Sequence, residues 1–210
     1  MSTSNLTKPF SWLPFLLVLA LLAGGIYWVQ SDGRKTEVNN LPAASGASGA
    51  FDKTFAKGAM AALLVHPERK DIAAFTFAND RGETIDLSKW KGRVVLLNLW
   101  ATWCAPCRKE MPEMAQLQRE LGGPGFEVVA LSLDRKGLEA SAAFLKEIGA
   151  DSLALYIEPE AKSLAALQAL GLPATMLIDR QGKEAARLLG PAQWASAEAK
   201  SVIAALIAEK

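Results

Sequence analysis

Hydrophobic positions divide this chain into one long apolar stretch, a polar gap and a series of short alternating runs. From Pro9 to Ser31 there is no charged residue, and Phe10–Val29 is mostly Leu, Val, Ala, Gly and aromatics. At about 1.5 Å per helical residue this stretch reaches roughly 30 Å, the depth of a bilayer's hydrocarbon core. Trp12 near one end and Tyr27–Trp28 near the other stand where interfacial aromatics belong. The pattern predicts a transmembrane anchor over residues 10–30 after a short tail, residues 1–9. A cleaved signal peptide would have a shorter apolar region and a small-x-small site after it, whereas Leu21 stands two residues before Ala23. Residues 31–50 end in NNLPAASGASGA, a small, polar, low-complexity run that predicts a flexible linker. Over residues 51–70, Phe51, Phe55, Ala59, Ala62 and Leu63 recur at helical spacing and predict a short amphipathic helix. His66, before Pro67, reads as a surface residue.

From Asp71 onward strand-like and helix-like runs alternate. Phe75–Phe77 and Thr84–Leu87 flank the turn Asn79-Asp80-Arg81-Gly82. Val94–Trp100 is nearly continuous in apolar residues, the mark of a strand buried on both faces. Ala105–Leu121 reads as a helix ended by Gly122-Gly123-Pro124-Gly125. A strand over Phe126–Leu133, a helix over Leu138–Ile148, a strand over Leu153–Ile157 and a helix over Glu160–Leu170 follow. Ala174–Ile178 and Glu184–Leu189 form a hairpin around Asp179-Arg180-Gln181-Gly182, and Trp194–Ala208 closes the chain as an amphipathic helix. The order predicts an α/β domain over residues 71–210, a central mixed sheet with helices on both faces.

Composition and charge narrow the function. Half of the 210 residues are apolar, and the net charge is +1 with no long run of either sign. That distribution offers no electrostatic case for nucleic acid. Lys8 before the anchor and Arg34 and Lys35 after it nearly balance, so charge does not orient the segment. The two cysteines, Cys104 and Cys107, are too few and too close for a structural disulfide framework. Zinc normally takes four ligands, and the one histidine lies far upstream. We therefore expect no metal and no cofactor, and seek the pair's purpose in its reactivity.

Trp100-Ala101-Thr102-Trp103-Cys104-Ala105-Pro106-Cys107 falls where a buried strand meets a helix. At that junction unpaired N–H groups and the helix dipole favour a thiolate, the nucleophile of disulfide exchange. Cys107, three residues on, shares the helical face and can resolve a mixed disulfide. Pro106 suits an early helical position, where its missing N–H is not needed. Trp103 belongs to an apolar rim around the sulfur, while Trp90, Trp100 and Trp194 read as packing.

The segment LLNLWATWCAPCRKEMPEM, with Gly171-Leu172-Pro173-Ala174-Thr175 downstream, resembles the thioredoxin superfamily, and within it the TlpA/ResA branch of membrane-anchored thiol–disulfide oxidoreductases. The resemblance spans roughly Ile72 to Ala208. It implies a thioredoxin-like fold with Cys104 and Cys107 as the redox-active disulfide, and a cis Pro173 facing the pair. Glu110 matches a glutamate close to the active site in that branch. Asn98 falls where many thioredoxins carry a buried carboxylate, and an amide cannot accept a proton at neutral pH. Glu110 is therefore expected to supply proton transfer and to tune the thiols. Substrate contact is expected from Trp103, Ala105, Pro106 and Leu172. The resemblance further implies a bacterial inner-membrane protein with its C-terminal domain in the periplasm. Its clients would be disulfides in proteins, as in cytochrome c or copper-oxidase maturation, and its donor a membrane electron conduit of the CcdA/DsbD type.

Two other readings stay open at this point. A disulfide oxidase or isomerase uses the same fold, and Ala-Pro between the cysteines does not decide against it. A copper-binding assembly factor would have wider cysteine spacing and a histidine downstream, which this chain lacks. A peroxidase would carry a Thr-x-x-Cys lead-in, also missing here.

Overall fold

A computed structural model describes residues 51–209. The tail, anchor and linker expected over residues 1–50 lie outside the described residues. Among those described, no helix is long and apolar enough to cross a membrane.

Eight strands form one mixed sheet in the order β1-β8-β7-β4-β5-β6-β2-β3. They are β1 (Leu64–Lys70), β2 (Phe77–Asn79), β3 (Thr84–Ile85), β4 (Val94–Trp100), β5 (Phe126–Ser132), β6 (Leu155–Ile157), β7 (Ala174–Ile178) and β8 (Glu184–Leu189). Four α-helices lie among the described residues: α1 (Ala105–Leu121), α2 (Gly137–Glu147), α3 (Lys162–Ala166) and α4 (Ala197–Ala208). β4, β5 and β6 are parallel, while β7 runs antiparallel to β4 and β8 antiparallel to β7.

Every residue of β4 is buried, as its nearly continuous apolar run predicts. Successive side chains of a strand alternate between faces. Val94, Leu96 and Trp100 accordingly join a core with Met111, Met114 and Leu117 of α1 and Ile203 of α4. Val95, Leu97 and Leu99 enter the opposite core with Phe77, Trp90, Tyr156 and Met176. The same alternation puts Asn98 on the α1 face, the one polar side chain in that row of β4.

Four expectations need correction. Residues 51–70 do not form an amphipathic helix: two 3₁₀ turns, Lys53–Phe55 and Gly58–Met60, lead into β1, which pairs with β8. Asp52 caps the first turn, and Gly58 holds φ +53°, which an α-helix does not accept. Pro67 is tolerated because β1 is an edge strand and its register shifts between Val65 and Lys70. His66 is buried rather than at the surface, with Nε2 2.6 Å from Glu184 Oε1. The helix expected over Glu160–Leu170 shrinks to the short α3, bracketed by left-handed backbone at Ala161 and Gln168. α4 likewise starts at Ala197 rather than Trp194, where Ser196 Oγ accepts from Ala199 N at 3.1 Å.

Candidate active site

β4 ends at Trp100, and Ala101–Trp103 carry the chain from the carboxyl end of the sheet to the start of α1. Asp134, just beyond β5, holds this connection: its Oδ2 accepts from Thr102 N at 2.9 Å and also from the Thr102 hydroxyl. Burial pushes the Asp134 carboxyl up, but the Thr102 and Lys136 hydrogen bonds outweigh it, leaving it below the usual carboxylate range. Sequence reasoning missed Asp134. The available signal was an acidic residue at the end of a buried strand neighbouring the one that carries the cysteines.

Cys104 is the N-cap of α1, and its Sγ accepts from Cys107 N at 3.3 Å. The sulfur thus sits against an N–H that the first helical turn leaves unpaired. Cys104 and Cys107 are joined in a disulfide. Cys104 retains 5 % of its surface in solvent and Cys107 none, so an incoming disulfide can reach only the first. Trp103 is 68 % exposed beside it, and Ala105 is exposed while Pro106 is half-buried. The Leu172–Pro173 peptide is cis, as the resemblance implies. Pro173 is buried at the entrance to β7, and Leu172 packs against both cores.

Glu110 lies one helical turn beyond Cys107, close enough along α1 for their side chains to be neighbours. It is 2 % exposed. Its Oε1 accepts from Asn98 Nδ2 at 2.8 Å, and its Oε2 accepts weakly from Ala192 N at 3.4 Å. Asn98 Nδ2 also donates to Thr175 Oγ1 at 3.0 Å; the two residues are direct cross-strand partners of β4 and β7. Burial pushes the Glu110 carboxyl up to about 7, against the hydrogen bonds from Asn98 and Ala192 and a contribution from the Trp194 indole. That indole N–H is near the carboxyl without making a hydrogen bond to it. A carboxyl poised near neutrality can both take and give a proton at working pH.

A cleft of about 240 Å³, lined by Pro106, Lys109, Glu110, Glu113 and the Pro191–Gln193 segment, opens on this carboxyl. A larger one of about 590 Å³ lies along β2 and β6 and includes none of the residues selected from sequence. The sequence-selected residues therefore fall into two groups. Trp103, Cys104, Ala105, Pro106, Cys107 and Glu110 lie at the start of α1, whereas Leu172 and Pro173 come in just before β7, whose Thr175 joins the helix through Asn98 and Glu110.

Fold and cysteine pair together define a thioredoxin-like thiol–disulfide oxidoreductase. The chain belongs to the AhpC/TSA family, whose model matches residues 69–193. It is 34 % identical over 116 residues to the thiol–disulfide oxidoreductase ResA of Bacillus subtilis, a match covering 55 % of this chain and 64 % of that protein. The thiol:disulfide interchange protein HelX of Rhodobacter capsulatus is 26 % identical over 186 residues, 89 % of each chain. Among solved structures, a putative thiol:disulfide interchange protein DsbE from Chlorobium tepidum superposes with a TM-score of 0.59 at 30 % identity, covering 67 % of this chain and 98 % of that one.

Proposed function

We propose that this protein is a membrane-anchored periplasmic reductase of protein disulfides, of the kind that serves cytochrome c or copper-oxidase maturation. The observation that carries the reading is the arrangement at the start of α1: Cys104 with 5 % of its surface in solvent, then a fully buried Cys107 and a buried Glu110 in succession. The apolar run at residues 10–30 supports an anchor, and the names of the relatives support thiol–disulfide exchange.

In the reduced form the Cys104 thiolate attacks one sulfur of a client disulfide. A new S–S bond forms, the client's bond breaks, and the client's other sulfur leaves as a thiolate. Glu110 then takes the Cys107 proton, and the Cys107 thiolate attacks Cys104 Sγ. This closes the 104–107 disulfide and releases the client's second sulfur, which is protonated on departure. Two electrons have passed from the pair to the client. A membrane dithiol donor of the CcdA/DsbD type must return them. Trp103, Ala105, Pro106 and Leu172 form the surface against which the client strand lies, with Pro173 beneath it.

Cys107→Ser in the full chain is expected to accumulate mixed disulfides on Cys104, and Cys104→Ser to abolish exchange; capture of no partner by the first variant defeats the reading. A reduction potential near about −120 mV, the strongly oxidising end of the superfamily, would instead assign an oxidase.

A further inference from the structure

Around Glu110 the polar groups within reach are donors. Asn98 Nδ2 faces Oε1, Ala192 N faces Oε2, and the Trp194 indole N–H lies nearby. This suits a carboxylate. Once the side chain carries a proton, that proton needs an acceptor, since a buried hydroxyl left unpaired is unfavourable. Four buried side-chain polar atoms lack a partner among the described residues: Arg93 Nε, Trp100 Nε1, Trp194 Nε1 and Asn98 Oδ1. Three of them are donors. The single acceptor belongs to the same amide that already holds Glu110.

An amide is planar, and its oxygen and nitrogen ends are nearly the same size. Half a turn about the bond to the amide exchanges them without moving the rest of the side chain. Oδ1 would then stand where Nδ2 stands now, 2.8 Å from Glu110 Oε1 and 3.0 Å from Thr175 Oγ1. The Thr175 hydroxyl serves either arrangement, since it accepts from an N–H₂ group and can donate to a carbonyl.

We propose that Asn98 is a positioning residue for the proton relay: it donates to the Glu110 carboxylate, and turned over it accepts from the Glu110 carboxylic acid. Glu110 thereby keeps one orientation toward Cys107 in both protonation states. The proton moves only between the Cys107 sulfur and Glu110, and the amide exchanges its two donated hydrogen bonds for two accepted ones. The inference rests on the proton-carrying role given to Glu110 above. An aspartate in place of Asn98 could not act this way, since two adjoining carboxylates would compete for one proton. The titratable neighbours of Glu110 are Cys107, Glu113 and Lys109, all on α1. β4 and β7 face it with Asn98 and Thr175, and the segment before α4 with Ala192 and Trp194, none of which titrates near neutrality.

The test is the alkylation rate of the reduced full chain against pH, for the unmodified protein, Glu110→Gln, Asn98→Leu and the double variant. Loss of a hydrogen bond to a charged group should move the thiol midpoint in Asn98→Leu by about one pH unit. In the Glu110→Gln background the same change should move it no further, because residues that act through one another do not add. A shifted Glu110→Gln profile beside an unmoved Asn98→Leu profile overturns the role of Asn98 alone. An unmoved Glu110→Gln profile removes the role of Glu110, and this inference with it. Should Asn98→Leu fail to fold, the side-chain amide resonances of Asn98 in the unmodified oxidised chain decide. They are expected to shift between pH 5 and 9 with the midpoint of the Glu110 carboxyl, and pH-independent resonances overturn the proposal.

Discussion

Glu110 and Glu184 are each 2 % exposed, yet their carboxyls move in opposite directions. Burial drives Glu110 up to about 7, and the neutral donors around it do not reverse that. Burial also raises Glu184, but Arg187 grips both its oxygens at 2.5 Å and His66 meets Oε1 at 2.6 Å. Together these leave the Glu184 carboxyl below its usual range. Depth alone therefore does not set the charge of a buried acid; the presence of a guanidinium decides it. Glu184 is an anion at neutral pH that ties β1 to β8 through His66, and Glu110, in the function proposed above, is the proton store beside the sulfurs.

Breaking the first arrangement should have the largest effect. Arg187→Leu leaves the Glu184 anion buried without its guanidinium and is expected to lower unfolding free energy by about 3–5 kcal/mol at pH 7. Because the folded carboxyl is depressed, its stabilisation is present above the unfolded value and lost as pH falls. The deficit should therefore shrink in urea titrations below about pH 4. The alkylation profile of Cys104 should not move; if it does, the two glutamates are not independent.

Glu110→Gln should act in the opposite sense. Its folded value lies above the unfolded one, so its contribution is fully favourable below about pH 4.5 and is lost as pH rises through about 7. The variant is expected to match the unmodified chain near pH 4 and to exceed it by up to about 3 kcal/mol at pH 8. Disulfide exchange at pH 7 should meanwhile fall by about 10²-fold, as for removal of a general acid–base group. A variant that is neither more stable at pH 8 nor slower would erase the contrast.

The smallest effect is expected from His66→Gln, which retains a donor beside Glu184 while Arg187 still holds it. Thermal unfolding should report a loss of about 1 kcal/mol or less. A larger loss would mean that His66, rather than Arg187, sets the state of Glu184.

Much of this was open to reading along the chain, for identifiable reasons. β4 was legible because a strand buried on both faces admits few polar residues, and α1 because Cys104 caps it and Gly122–Gly125 stop it. Residues 51–70 were misread because apolar spacing alone does not register a left-handed Gly58 or an edge pairing with a strand more than a hundred residues away. His66 was misplaced for the same reason: its burial depends on Glu184, which no local pattern connects to it.

What the chain determines by itself is local: the helical spacing of Cys104, Cys107 and Glu110, the alternation that turns Asn98 to the α1 face, and the apolar run of residues 10–30. Only the tertiary structure decides which polar groups meet. The antiparallel register of β4 with β7 sets Thr175 beside Asn98, the packing of α1 on β4 sets Glu110 against both, and the segment before α4 closes over the carboxyl. The physical reason is range. Propensity and periodicity act over a few residues, whereas a carboxyl's charge depends on the water excluded around it and on donors delivered by distant parts of the chain.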